Sequence, residues 1–203
     1  MTSTISPSLR TRSLRWRVVD IVVASVIAVA CGVLFIAWIG VSNLFGDAVQ
    51  LVLPGFQGIL NGPWLIAGPL AAVIVRKPGA ALYAEFVAAA LELLVPAYGA
   101  SVLLSGLVQG LGSELVLALF LYRAWGPLPA ALSGAVGGLF GAAFIDIWTW
   151  YVTYDVPFKI VYVVSTVISG AVIGLLCVPL VRAIAATGVL DRFPSGRGAR
   201  RLV

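Results

Sequence analysis

Four carboxylates stand inside otherwise apolar stretches of this chain: Glu85, Glu92, Glu114 and Asp146. No Lys or Arg sits at a comparable depth in those stretches. Ionisable groups in such surroundings are costly, so each one is a functional hypothesis by default. Glu85 and Glu92 are two helical turns apart and share a face. Gln109 and Ser113 share a face of a later stretch, with Glu114 adjacent, and Asn61 and Trp64 lie one turn apart. Trp38, Tyr98, Trp148, Trp150, Tyr151 and Tyr154 gather near one end of the apolar runs. Carboxylates accept hydrogen bonds from amino-substituted heterocycles and neutralise positive charge. Trp and Tyr faces bind such rings by stacking and cation–π contact. The expected ligand is a small cationic or hydrogen-bonding ring compound. The candidate binding set is Trp38, Asn61, Trp64, Glu85, Glu92, Tyr98, Gln109, Glu114, Asp146, Trp150 and Tyr151. A structural alternative stands beside this one: the polar groups could satisfy helix backbone or each other, and the aromatics could form a membrane-interface belt. Asp20, next to a basic segment, reads as a salt-bridge partner and not as a ligand group.

These residues need elements to position them, and composition says which. The chain has 203 residues, 61% of them hydrophobic and 10% charged, where a soluble domain carries about 25% charged. Mean hydropathy is +1.08. Too little polar surface is left for a soluble domain, so the expected fold class is an all-α integral membrane protein. Six transmembrane helices fit the apolar runs: Val18 to Ile39, Gln57 to Val75, Ala80 to Val95, Val102 to Tyr122, Leu128 to Tyr151 and Lys159 to Ile184. A loop after Ile39, with Asn43, Gly46, Asp47, Pro54 and Gly55, is long enough to fold back into the protein. Residues 1–17 read as a retained basic tail without a signal-peptide cleavage pattern. Residues 18–184 form the membrane domain. Residues 185–203 read as a second basic tail, expected to be poorly ordered.

An even number of spans puts both termini on one side. Twelve of the 13 Lys and Arg then share that side, with Lys159 alone opposite, and the positive-inside rule makes it cytoplasmic. Topology therefore accounts for the net charge of +5, and nucleic acid is not an expected partner. Histidine is absent, which excludes imidazole bases, His-ligated metals and His proton relays. No metal site is expected. Cys31 and Cys177 read as small buried hydrophobes and not as a disulfide. No GxxxxGK[ST] loop is present, so the chain binds no nucleotide by that route. Small residues recur at intervals of four: Ala24, Ala28 and Gly32 in the first span, Ala130, Gly134, Gly138 and Ala142 in the fifth, and Gly170 and Gly174 in the sixth. Such spacing lets helices approach closely in lipid. On the first span it also offers a docking strip for another membrane subunit.

Several strings resemble one family. They are Trp16-Arg17-Val18-Val19-Asp20-Ile21-Val22, Arg76-Lys77-Pro78-Gly79-Ala80-Ala81 followed by Glu85 and Glu92, and Gln109-Gly110-Leu111-Gly112-Ser113-Glu114, closed by Tyr122-Arg123. With the Ala-xxx-Ala strip, they look like the substrate-binding (S) component of an energy-coupling factor (ECF) transporter, and more narrowly the YkoE family. The resemblance implies a six-helix S-component fold whose ligand lies near the outer face under the loop after the first span. It implies capture of thiamine or its hydroxymethylpyrimidine precursor in a bacterial cell membrane. It also implies two kinds of partner, a transmembrane coupling (T) subunit docking at Ala24, Ala28 and Gly32, and ATPase subunits that use the ATP. This chain itself would hold no cofactor. A competing reading is a proton-coupled secondary carrier with Glu85, Glu92 and Glu114 as its relay, although no internal repeat supports one. An intramembrane enzyme fits least, because the acids are dispersed and Lys159 sits at a helix end.

Overall fold

From Val18 onward nearly every position is apolar, and the chain forms α1 (Val18–Val52), a helix of 35 residues. The computed structural model describes residues 14–95 and 99–190, together with Phe193 and Ser195. Among them every regular element is helical. Arg17 and Asp20 fix the start of α1. The Arg17 backbone N–H donates to Asp20 Oδ2 at 2.9 Å, and its guanidinium reaches Oδ1 at 2.7 Å. That is the ion pair expected of Asp20.

At 1.5 Å per residue α1 is about 52 Å long, well beyond a hydrocarbon core of about 30 Å. The loop expected after Ile39 is therefore corrected: Asn43, Gly46 and Asp47 lie within the helix, and the chain turns only at Leu53–Gly55. The next predicted span is two segments of different winding, a 3-10 helix (Phe56–Leu65) and α2 (Ala67–Val75). Every residue of α2 is buried, so it forms the axis of the bundle. After a turn with left-handed Arg76 and Gly79 come α3 (Ala80–Leu91) and a single 3-10 turn, Glu92–Leu94. Next are α4 (Ser101–Leu119), α5 (Pro127–Gly141), a π-helical turn (Ala142–Asp146), the short α6 (Ile147–Thr149) and α7 (Val156–Ala186).

Five helical segments are long and apolar enough to cross a membrane: Val18–Val52, Phe56–Val75, Ser101–Leu119, Pro127–Thr149 and Val156–Ala186. This is a multi-pass membrane protein. The stretch Ala80 to Val95 is helical as expected but has only twelve α-helical residues.

The glycine spacing on α5 and α7 works as expected. A side-chain carbon placed on Gly134 would overlap the Gly170 carbonyl, and one on Gly174 would overlap that of Ala130. The strip on α1 needs correction. Ala24 and Ala28 are 0% exposed, and a carbon added at Gly32 would meet the Ala88 carbonyl at 2.9 Å. Ala24, Ala28 and Gly32 are thus filled by packing within this chain and present no surface to a partner subunit. The exposed face of α1 carries Val18, Val22, Val26, Val29 and Val33 instead.

One end of the bundle is tied together by contacts between distant segments. Trp16 Nε1 donates to the Pro78 carbonyl at 2.8 Å, and the Gly79 N–H donates to Glu114 Oε1 at 2.6 Å. Ser195 Oγ donates to the Ile74 carbonyl at 3.2 Å, while Leu190 and Phe193 sit in the core. The expectation of a loose tail from residue 185 is corrected for these positions: apolar Leu190 and Phe193 have a core to enter. At the opposite end Gln50 Nε2 donates to the Tyr154 hydroxyl at 2.6 Å, joining the tip of α1 to the loop before α7.

Candidate ligand-binding site

Beneath that contact lies a cavity of about 310 Å³, at the small end of the range for small-molecule sites. Its walls come from α1, the 3-10 helix, the end of α3, α4, the π turn and α7. The 3-10 segment lies flat against α7, because a carbon on Gly62 would sit 2.5 Å from Ser169 Oγ. Flat packing brings Gln57, Leu60, Asn61 and Trp64 to the cavity.

Seven of the residues expected from sequence meet there: Asn61, Trp64, Glu92, Gln109, Asp146, Trp150 and Tyr151. Trp64 Nε1 donates to Glu92 Oε1 at 2.8 Å. Asn61 Nδ2 donates to the Tyr162 hydroxyl at 2.7 Å, and that hydroxyl donates to Asp146 Oδ2 at 2.9 Å. Asp146 is only 9% exposed, so it belongs to the cavity wall and not to an interfacial rim. It closes the π turn that follows α5, and the extra backbone of that turn sets its aim. Gln109 gets its room from Gly141, where a side-chain carbon would lie 2.7 Å from Gln109 Cγ.

Three expected residues are elsewhere. Glu85 is 1% exposed and accepts the Gly68 N–H at 2.5 Å, which secures the first turn of α2. Its other oxygen finds no partner among the described residues. Glu114 accepts the N–H groups of Gly79 at 2.6 Å and Ala81 at 3.0 Å, at the start of α3 and at the far end of the bundle. Trp38 Nε1 donates to the Leu60 carbonyl at 2.8 Å, pinning the 3-10 helix to α1. All three satisfy backbone groups that the bilayer could not. Tyr98 lies outside the described residues.

Sequence reasoning missed Gln57, Tyr162 and a polar stripe of α1, Ser42, Asn43, Gly46, Asp47 and Gln50. The stripe had a signal, since its members recur at helical spacing. Tyr162 had none beyond its type.

Glu114 offers a clean test of structure against binding. Burial and the neighbouring Glu114 push the Tyr122 hydroxyl up to about 12, so Tyr122 stays protonated and remains a donor to that carboxylate. Glu114→Gln keeps one acceptor but loses the charge at a helix N-terminus. The variant should lose about 1 kcal/mol of stability with unchanged ligand affinity, read by thermal denaturation and titration. A loss of affinity at equal stability would return Glu114 to the site.

Comparison with known proteins agrees with this architecture. Residues 19–140 match the family described as the permease component of ABC-type cobalt transport systems. Over 189 residues the chain is 32% identical to YkoE of Bacillus subtilis (strain 168), named as a candidate HMP/thiamine permease protein; the match covers 92% of this chain and 93% of that one. A crystal structure of an S-component of an ECF transporter superposes with a TM-score of 0.82 at 31% identity, over 92% of this chain and 94% of the other.

Proposed function

Since the chain belongs to the YkoE-like S components of ECF transporters, we propose that it is the substrate-binding membrane subunit of such an importer, capturing thiamine or hydroxymethylpyrimidine (HMP) from outside. The observation that carries this reading is the cavity: buried Glu92 and Asp146, Asp47 also in the lining, amides of Asn61 and Gln109, and the rings of Trp64, Trp150 and Tyr151, with no lysine or arginine among the lining residues. Thiamine combines a permanent positive charge with an aminopyrimidine ring, and both halves suit such walls.

Orientation follows from charge. The end tied together by Trp16, Pro78, Glu114 and Ser195 carries Arg17, Arg76, Lys77 and Arg123 beside it. We place it in the cytoplasm of a bacterial cell, with both termini, and the cavity outside. Six crossings then require α3 to be the sixth. Its buried face of Ala80, Ala81, Ala84, Ala88 and Ala89 supports a short crossing shielded by neighbours. The chain would be a binding module and not an enzyme, with ATP consumed by partner ATPase subunits and motion passed on by a coupling subunit.

A proton relay through Glu85, Glu92 and Glu114 has less support, because Glu85 and Glu114 are spent on backbone N–H groups. Cobalt as cargo also has less: histidine is absent, and among the described residues no three of Cys, Asp and Glu stand close enough together to hold a metal ion. The test is isothermal titration of the purified chain in detergent, without ATP or partners, with thiamine and with HMP. Saturable binding of at least one is expected. A folded chain that gives no heat with either compound overturns the proposal.

A further inference from the structure

Gln57 is 6% exposed and lines the cavity. Its side-chain Oε1 accepts the Gly55 N–H at 3.0 Å. That bond fixes which way the amide points, because an amide turned over would set N–H against N–H. Gly55 is itself held. It has φ of 89°, its carbonyl accepts from Ser165 Oγ at 2.9 Å, and α7 is packed so closely that a side-chain carbon there would lie 2.8 Å from Val161 Cβ. The Gln57 Nε2 group is consequently held in place, and among the described residues it makes no hydrogen bond of good geometry. The Tyr151 hydroxyl is near enough to feel the amide as a donor. The amide has two N–H bonds, and a small turn of Tyr151 could satisfy only one of them.

The nitrogen is itself buried, so water in the cavity does not contact it, and an unpaired buried N–H costs about 1–3 kcal/mol. A ligand that brings an acceptor to it removes that cost. The rest of the lining is rich in acceptors, namely Glu92, Asp146 and Asp47. Asn61 has already directed its N–H bonds at Tyr162 and at Thr166, the latter at 3.1 Å. Gln57 is therefore a fixed donor in a wall that also holds these acceptors. An aminopyrimidine presents an amine donor next to a ring-nitrogen acceptor, and that edge requires one wall group of each kind.

Resting on the proposed aminopyrimidine ligand, we infer that Gln57 is a specificity-determining residue whose amide N–H meets a pyrimidine ring nitrogen. It selects against rings that lack an acceptor there, since a site built to hydrogen-bond its ligand rejects analogues that leave it unpaired.

The experiment is titration of the purified full-length chain in detergent with HMP and with the two analogues in which one ring nitrogen is replaced by C–H. Wild type, Gln57→Met and Gln57→Glu are compared. Wild type should bind one analogue about tenfold more weakly than HMP. Gln57→Met should bind HMP about tenfold more weakly and no longer distinguish that analogue. Gln57→Glu retains an acceptor for the Gly55 N–H, so it decides the matter if the Met variant fails to fold. It should lose at least about tenfold for HMP, because an oxygen then faces the ring lone pair. Unchanged HMP affinity in the variants, or an analogue penalty that persists in them, overturns the role of Gln57 alone. A folded wild type that binds neither HMP nor thiamine overturns the ligand reading, and this inference with it.

Discussion

Glu92→Gln should weaken thiamine binding by about one to two decades, the equivalent of losing a charge-assisted contact of roughly 1.5–3 kcal/mol at about 1.4 kcal/mol per decade. The fold should survive the change. Trp64 donates to Glu92 Oε1, and a glutamine carbonyl can accept the same bond. Only the charge disappears, and at 6% exposure water does little to screen its effect. Neutral HMP should lose less than thiamine, so the ratio of the two losses isolates the electrostatic part. Asp146→Asn belongs in the same titration. Its burial and its bond from Tyr162 bring it level with Glu92, so a comparable loss is expected. Thiamine affinity unaltered by Glu92→Gln, in a variant that elutes as a single species on gel filtration, would mean that the cation is held elsewhere.

Gly170→Val should be among the most damaging single changes in the bundle. A side-chain carbon at Gly170 would meet the carbonyl carbon of Gly134 at 2.8 Å and overlap its oxygen, with Leu65 Cδ1 at 3.0 Å on another side. A flexible side chain could yield; helix backbone cannot. Overpacking typically costs about 1–3 kcal/mol, and separating two helices along their contact should exceed that range. The expected result is loss of monodisperse protein in detergent and a large drop in thermal midpoint. Gly46→Ala is the control, since nothing lies within 4 Å of a carbon added there. A Gly170→Val protein with wild-type melting would mean that α5 and α7 do not pack as described.

Much of this was legible in the sequence, and the exceptions share a cause. Helix positions followed from apolar runs, and close α5–α7 packing from glycine spacing. The start of α1 followed from where its apolar run begins, and the ion pair of Asp20 from the basic residues beside it. The end of α1 did not, because Asn43, Gly46, Asp47 and Pro54 together look like a turn. Their helical spacing hinted otherwise, but the reason the helix continues is the polar cavity that the stripe from Ser42 to Gln50 faces, which sequence could not supply. The same limit explains Glu85, Glu114 and Trp38. Their types signal an unusual need in a membrane, but type alone does not distinguish a ligand's hydrogen bond from a backbone's. The alanine strip is similar: its spacing revealed close contact, and the partner turned out to be α3 of the same chain.

The π turn in α5 separates two jobs that a continuous α-helix would force together. Below it, Gly134 and Gly138 must keep a fixed azimuth toward α7 and Leu65. At its last residue, Asp146 must point into the cavity. One surplus residue advances the helical phase by about 100°, so the two halves of the helix are indexed independently, like two dials on one shaft. The outer dial can be reset by changing the length of the Ala142–Asp146 turn without disturbing a single glycine below it. In this architecture the direction of a cavity carboxylate is encoded by how many residues precede it, as much as by which residue it is.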